Sequence, residues 1–254
     1  MLENSLLKGL KKQARAYDLI CLDNSQGQFA SAAQALNHGA RLTNAASAYI
    51  LFAHQDICFA SDAWLGDAEK MLDTLQDLGI AGVVGCRRGD RSRFSNITHG
   101  IPPRDVGISI QQPLAAMTVD ECCLFIPRRV FEKHQFDEAV CGGWHFYAVE
   151  YCLRVQEAGL GVSILPLPLH HSSLGTQDST YFRALEPVLY RHRQAYEKIY
   201  TTCGCWDTRT PVRLQRCWHY MRKAFYAVDN ALIAWGLMPA WLLKKNRKKF
   251  CVKR

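Results

Sequence analysis

The sequence predicts an α/β protein, a mostly parallel sheet flanked by helices, with a helical, basic extension at its C-terminus. Three observations carry this. Short apolar runs, DLICL (Asp18–Leu22), YILFA (Tyr49–Ala53) and AGVVGC (Ala81–Cys86), alternate with segments of helical spacing. Strands apolar on both sides belong to a sheet covered on both faces. Apolar residues make up 48% of the 254 and charged residues 21%, which permits a real core and excludes a disordered or collagen-like chain. Charge is also segregated: from Arg213 onward eleven Lys/Arg face only Asp229, a net +10, so residues 1–212 carry −2 of the overall +8. The basicity belongs to a tail rather than to a nucleic-acid-binding body.

The elements follow in order. Leu6, Leu7 and Leu10 among lysines give an amphipathic helix over Leu6–Arg15. The strand Asp18–Leu22 ends in the turn formers Asp23-Asn24-Ser25. Ser31–Ala46 is Ala-rich, with Leu36 and Leu42 at helical spacing, and its small residues suit close packing on a sheet. After the strand Tyr49–Ala53 come a helix over Asp62–Leu78 and the strand Ala81–Cys86. Arg87–Gln112 is a polar connection whose length is typical of a lid or substrate loop. A strand near Cys122–Ile126, a helix Tyr147–Ala158 closed by Gly159, and a strand Val162–Leu165 complete the body. Past Ser179 the chain reads as helical and increasingly basic, which divides it into a domain of residues 1–178 and an extension of residues 179–254.

The eleven cysteines are odd in number, scattered through apolar runs and never spaced CxxC. Neither a disulfide scaffold nor a zinc ribbon fits. Nothing at the N-terminus reads as a signal peptide, so the expected setting is a reducing cytoplasm with cysteines as small core residues. In the tail, Ala224–Leu243 has the length of a membrane span but is interrupted by Asp229, Asn230, Gly236 and Pro239, then followed by KKNRKKFCVKR. An interfacial helix on anionic lipid at the inner face of the membrane is one reading. A helix packed on the main domain with a solvated basic end is the other.

Ligands of open α/β sheets bind beyond the carboxyl ends of strands. Asp23 stands at one such end, as a hydrogen-bond acceptor for a base or ribose or simply as part of a turn. His54-Gln55-Asp56 follows YILFA, with residues 54 and 56 on one side of an extended chain. An imidazole and a carboxylate there suit a divalent cation, or form a His–Asp hydrogen bond that trims the strand end. His170-His171 is a candidate to complete a metal shell, or a pair of loop residues. Between them, Gly142-Gly143 precede Trp144, His145 and Tyr147, aromatic groups suited to sugar faces. Glu150 has two readings, a catalytic carboxylate or an i,i+4 ion pair with Arg154.

The ordered series LICLDNS, SAAQALNHGARLTNAASAYILFAHQD, TVDECCLFIPRRVFEKHQFDE and GWHFYAVEYCLRVQEAGLGVSILPLPLHHSSLG, across about residues 15–175, resembles family 2-type glycosyltransferases of the Rossmann-like GT-A fold. It is most similar to the branch with His-Gln-Asp in place of Asp-x-Asp. The resemblance implies transfer of a sugar, with inversion, from a nucleotide sugar such as a UDP-sugar to a hydroxyl of a glycan or lipid-linked acceptor. It places Asp23 at the base or ribose, Asn37 and Gly39 beneath the nucleotide pocket, and Asp120 near the donor sugar. Asp56 holds Mn²⁺ or Mg²⁺ with His54 beside it and His170 or His171 as the late ligand. Trp144, His145 and Glu150 line the acceptor side, with Glu150 or His145 as the base. Two features depart from the pattern: Ala148 stands at the usual base position, and no strand precedes the first helix. Two rivals follow, a catalytically silent sugar-nucleotide-binding protein and a membrane-associated interaction protein.

Overall fold

A computed structural model describes residues 5–173, 175 and 177–234. They divide into two compact units between Arg209 and Thr210. Residues 235–254, which carry most of the apolar and basic tail, lie outside the described residues.

The first unit begins with α1 (Leu6–Leu10) and α2 (Ala32–Leu42), then β1 (Tyr49–Ala53), β2 (Ile57–Phe59) and α3 (Trp64–Asp73). β3 (Leu78–Gly82), β4 (Val84–Cys86), β5 (Arg93–Ser95), β6 (Thr98–His99) and β7 (Arg104–Asp105) follow, then β8 (Leu114–Ala115), β9 (Thr118–Val119) and β10 (Cys123–Pro127). Next are α4 (Arg128–Phe131), α5 (Tyr147–Glu157), β11 (Gly161–Ile164), β12 (Leu169–His171), α6 (Ser179–His192) and the hairpin β13 (Lys198–Thr201)–β14 (Gly204–Asp207). The described part of the second unit is dominated by one long helix, α7 (Val212–Ala234). Thus α6 and the hairpin, assigned by sequence to the extension, count with the first unit.

The architecture is α/β as expected, but the main sheet is mixed rather than mostly parallel, since of its four strand pairs only β3–β11 is parallel. A five-stranded sheet runs in the order β1-β10-β3-β11-β8; β3 and β11 pair parallel, while β10 lies antiparallel between β1 and β3. Its two faces carry separate cores. One joins Ala32, Ala33 and Ala40 of α2 and Tyr151 and Val155 of α5 to Ile50, Phe52, Ile80 and Leu124. The other joins Leu6, Leu10, Trp64, Ala68 and Leu72 of α1 and α3 to Ala81, Cys123 and Phe125. Helix α2 meets the sheet through the small residues Ala32, Ala33 and Ala40. On its side toward residues 18–22, a Cβ on Gly39 would meet Leu22 at 2.9 Å. The helix starts where Ser31 Oγ accepts the Gln34 N–H at 3.2 Å.

Several sequence expectations change. Residues 18–22 form no strand; the segment is irregular, with Leu19 exposed. α1 ends at Leu10, α2 at Leu42 and α3 at Asp73, each short of its expected end. The run Ala81–Cys86 belongs to two strands, β3 and β4, which break at Val83 and enter different sheets. The connection 87–112 is not open loop, since it holds β5, β6 and β7.

β1 ends the main sheet. Its Ala48 C=O and His54 N–H bond toward β10, so by alternation Tyr49, Leu51 and Ala53 turn their backbone groups to the opposite edge. Among the described residues no strand pairs there. Residues 15–22 run past that edge across a cleft.

Candidate functional site

The end of β1 and a neighbouring small sheet build the site. β12 pairs antiparallel with β2, setting His171 opposite Ile57, and parallel with β6, setting His171 opposite His99. Because the chain passes from β1 through His54 and Asp56 into β2, this register brings His171 to the two residues already at the strand end. Potential ligand atoms of His54, Asp56 and His171 all lie within 4.8 Å of one another. His171 Nε2 is 3.2 Å from Asp56 Oδ1, while Asp56 Oδ2 accepts the Ser173 N–H at 3.1 Å. The Ser172 N–H also reaches the Asp56 carbonyl at 3.1 Å, pinning the loop. His54 Nε2 stands 3.3 Å from Tyr147 Oη.

The electrostatics suit a bound cation. Asp56 is buried, which alone would raise its pKa, but His171, Ser173 and His54 outweigh burial and hold the carboxyl below its usual range. Burial lowers His171 against the pull of Asp56, favouring the neutral, ligating imidazole. Two imidazoles and a carboxylate match the N/O preferences of Mn²⁺, Zn²⁺ or Fe²⁺. The residues therefore fit a divalent ion.

His54, one member of the cluster, lines a cleft of about 630 Å³. Its walls include His54 and Tyr147 at one end, Ala32, Leu36 and Gly39 of α2, Ile50 and Phe52 of β1, and Tyr17–Ile20, Leu22 and Asn24 opposite. Trp144 also lines it, half its surface exposed.

The other sequence candidates distribute as follows. His170 is not in the cluster: one residue from His171 along a strand, it faces the other way and bonds Thr98 through Nδ1 at 3.0 Å. Asp23 is exposed and accepts the Ser25 N–H at 2.8 Å, which holds its carboxyl below the usual value, while its neighbours Leu22 and Asn24 line the cleft. Asn37 is buried and structural in its contacts, with Nδ2 donating to Phe136 O and Glu138 Oε1 and Oδ1 accepting from Phe136 N. Asp120 accepts from Thr202 Oγ1 at 2.6 Å, outside the cleft. His145 packs its ring on Tyr181, and burial lowers its pKa. Glu150 is 0% exposed and accepts from Arg154 Nε at 2.9 Å, the ion pair foreseen as its second reading.

Three residues escaped the sequence reading. Ser173 supplies the N–H on Asp56. His99 stacks on His171, with ring centroids 4.8 Å apart. Glu121 is pushed up to about 8 by burial and by neighbouring Asp120. Only the strand pairing and the packing of α5 reveal them.

No family model matches the chain. A curated protein described as "ATP synthase subunits region ORF 6" from Fuscovulum blasticum is 22% identical over 170 residues. The match covers 62% of this chain and 64% of that protein, so the chain spans under two thirds of that relative's length. Among solved structures, that of GalNAc-T7 with UDP, GalNAc and Mn²⁺ aligns with a TM-score of 0.46 and 10% identity. The alignment covers 63% of this chain and 35% of the GalNAc-T7 chain. No helix among the described residues is long and apolar enough to cross a membrane.

Proposed function

We propose that the chain is a metal-dependent glycosyltransferase of GT-A type, moving a sugar from a nucleotide-sugar donor, a UDP-sugar first among them, to an acceptor hydroxyl with inversion. The observation that carries this is the His54–Asp56–His171 cluster at the end of β1, whose His54 lines a cleft of about 630 Å³. The ordered motifs of residues 15–175 support the same reading. His54, Asp56 and His171 would hold the ion, which when bound offsets charge on a departing diphosphate. Trp144 and Tyr147 offer the cleft aromatic faces, and Asn24 a polar edge. His145, which burial favours in its neutral form, is assigned the acceptor's proton. The acceptor class is a glycan or lipid-linked glycan, and the setting is the cytoplasmic side of the membrane.

Binding without turnover is a second reading, and one observation favours it. Ala148 stands where the resemblance expects a base, and Arg154 occupies the nearby carboxylate Glu150. Incubating the chain with UDP- and GDP-sugars and Mn²⁺ separates the two. Release of nucleoside diphosphate that requires Asp56 and falls in His145→Gln supports transfer. Saturable binding without release supports the second reading, and absence of both overturns the site.

A further inference from the structure

Helix α7 carries a feature that the cleft does not use. Leu214, Trp218, Met221 and Val228 are all exposed, between 47% and 71%. They recur at steps of four, three and seven, and at 3.6 residues per turn they fall within an arc of about 80° running some 21 Å along the helix. A stripe of this kind on a soluble helix normally turns to a core. Here these four side chains are exposed, flanked by Arg213 on one side and Arg222 on the other, with Arg216 and Lys223 farther round. No acid occurs between Val212 and Val228, and the sequence beyond adds KKNRKKFCVKR.

The spacing alone also fits a helical seam with a second copy. The charges do not, because the flanking positions of two such helices would set arginine against arginine with no carboxylate to match. An anionic bilayer answers both features. It takes up the apolar stripe, with Trp218 at headgroup depth, while the arginines extend toward lipid phosphates. We propose that this face of α7 docks the chain on an anionic lipid surface. The inference rests on none of the transfer chemistry above.

The test uses the full chain and vesicles of phosphatidylcholine with or without phosphatidylglycerol. The expected result is sedimentation with the anionic vesicles only, reversed by salt. The double variant Arg213→Gln/Arg222→Gln should bind more weakly by about fivefold per side chain. Trp218→Ser/Met221→Ser should lose tenfold or more while the melting curve of the chain is unchanged. In a Trp235→Phe/Trp241→Phe background, brominated lipid should quench tryptophan fluorescence, but much less once Trp218→Phe is added, which keeps the apolar face and still binds. Full binding by the stripe variant would overturn the proposal, leaving attraction to the basic tail alone. So would equal quenching in Trp218→Phe, equal binding to neutral vesicles, or a lipid-free dimer that dissociates when the stripe is changed.

Discussion

Replacing Asp56 by asparagine separates the metal role proposed for this residue from its part in the fold. In the native site one carboxylate oxygen meets His171 Nε2 at 3.2 Å and the other accepts the Ser173 N–H at 3.1 Å. Asparagine has nearly the same shape and keeps one acceptor oxygen, so the metal-free fold loses about 1 kcal/mol, the worth of one net hydrogen bond. The ligand set loses its negative charge, and affinity falls by at least the ~100-fold that loss of even an outer partner can cause. With free Mn²⁺ at about 100 times the native dissociation constant, binding stabilises the native chain by ~2.7 kcal/mol, against ~0.4 kcal/mol for a hundredfold weaker variant. At about 2–4 °C per kcal/mol for a chain of this size, Mn²⁺ should raise the native melting temperature by roughly 5–10 °C and that of Asp56→Asn by about 1–2 °C. Differential scanning calorimetry across a Mn²⁺ series reads both. Equal shifts in the two proteins, or none in the native one, would refute the reasoning.

Glu150→Gln leaves Arg154 half-paired in the interior and should cost about 3 kcal/mol; an unchanged melting temperature together with lost turnover would instead make Glu150 catalytic. Glu121, pushed up to about 8 by burial and Asp120, favours its protonated form in the fold. Its stabilising contribution is complete below the ordinary carboxylate range and is lost as pH rises toward 8. Glu121→Gln should therefore exceed the native chain in stability by about 1–3 kcal/mol above that pH and match it near pH 5, with urea titrations at both values as the check. A difference independent of pH would contradict this. Burial holds His99, His145 and His171 below their ordinary pKa, so the unfolded chain takes up protons first. Their contribution is complete above about pH 6.5 and is lost below it, and in the Glu121→Gln background, where the opposing carboxyl is gone, a denaturation midpoint constant from about pH 7.5 to about 5.5 would count against that burial.

What the sequence made legible was local. YILFA was placed at the residues that form β1, because five consecutive apolar side chains between turn formers have few alternatives. DLICL has a similar composition, yet it stays irregular. It runs past the edge of β1 that no described strand pairs, with a cleft between them, and composition does not report whether an edge is close enough to bond. The same limit hid β5, β6 and β7, which are short, largely polar and defined by partners far along the chain. It also hid the hairpin β13–β14 within a region read as helical. At the site, His54 and Asp56 were readable from adjacency, and the choice between His170 and His171 was not. That choice depends on which face of β12 turns toward β2, a matter of register. Glu150 shows the opposite case, since its i,i+4 spacing to Arg154 already announced the ion pair.

Asn37 ties helix α2 to the loop at Phe136–Glu138 through three hydrogen bonds, and the Ala32 N–H bonds Gly143 O at 3.0 Å. Two walls of the cleft, α2 and the Trp144–Tyr147 approach to α5, are thereby bolted into one body. Any breathing of the aperture then falls to the strap of residues 15–24, anchored near one end by Arg15 on Glu69 and at the other by the Asn24–Phe29 bonds. Proteolysis or spin labels placed along that strap would register the arrival of a ligand before any helix moved.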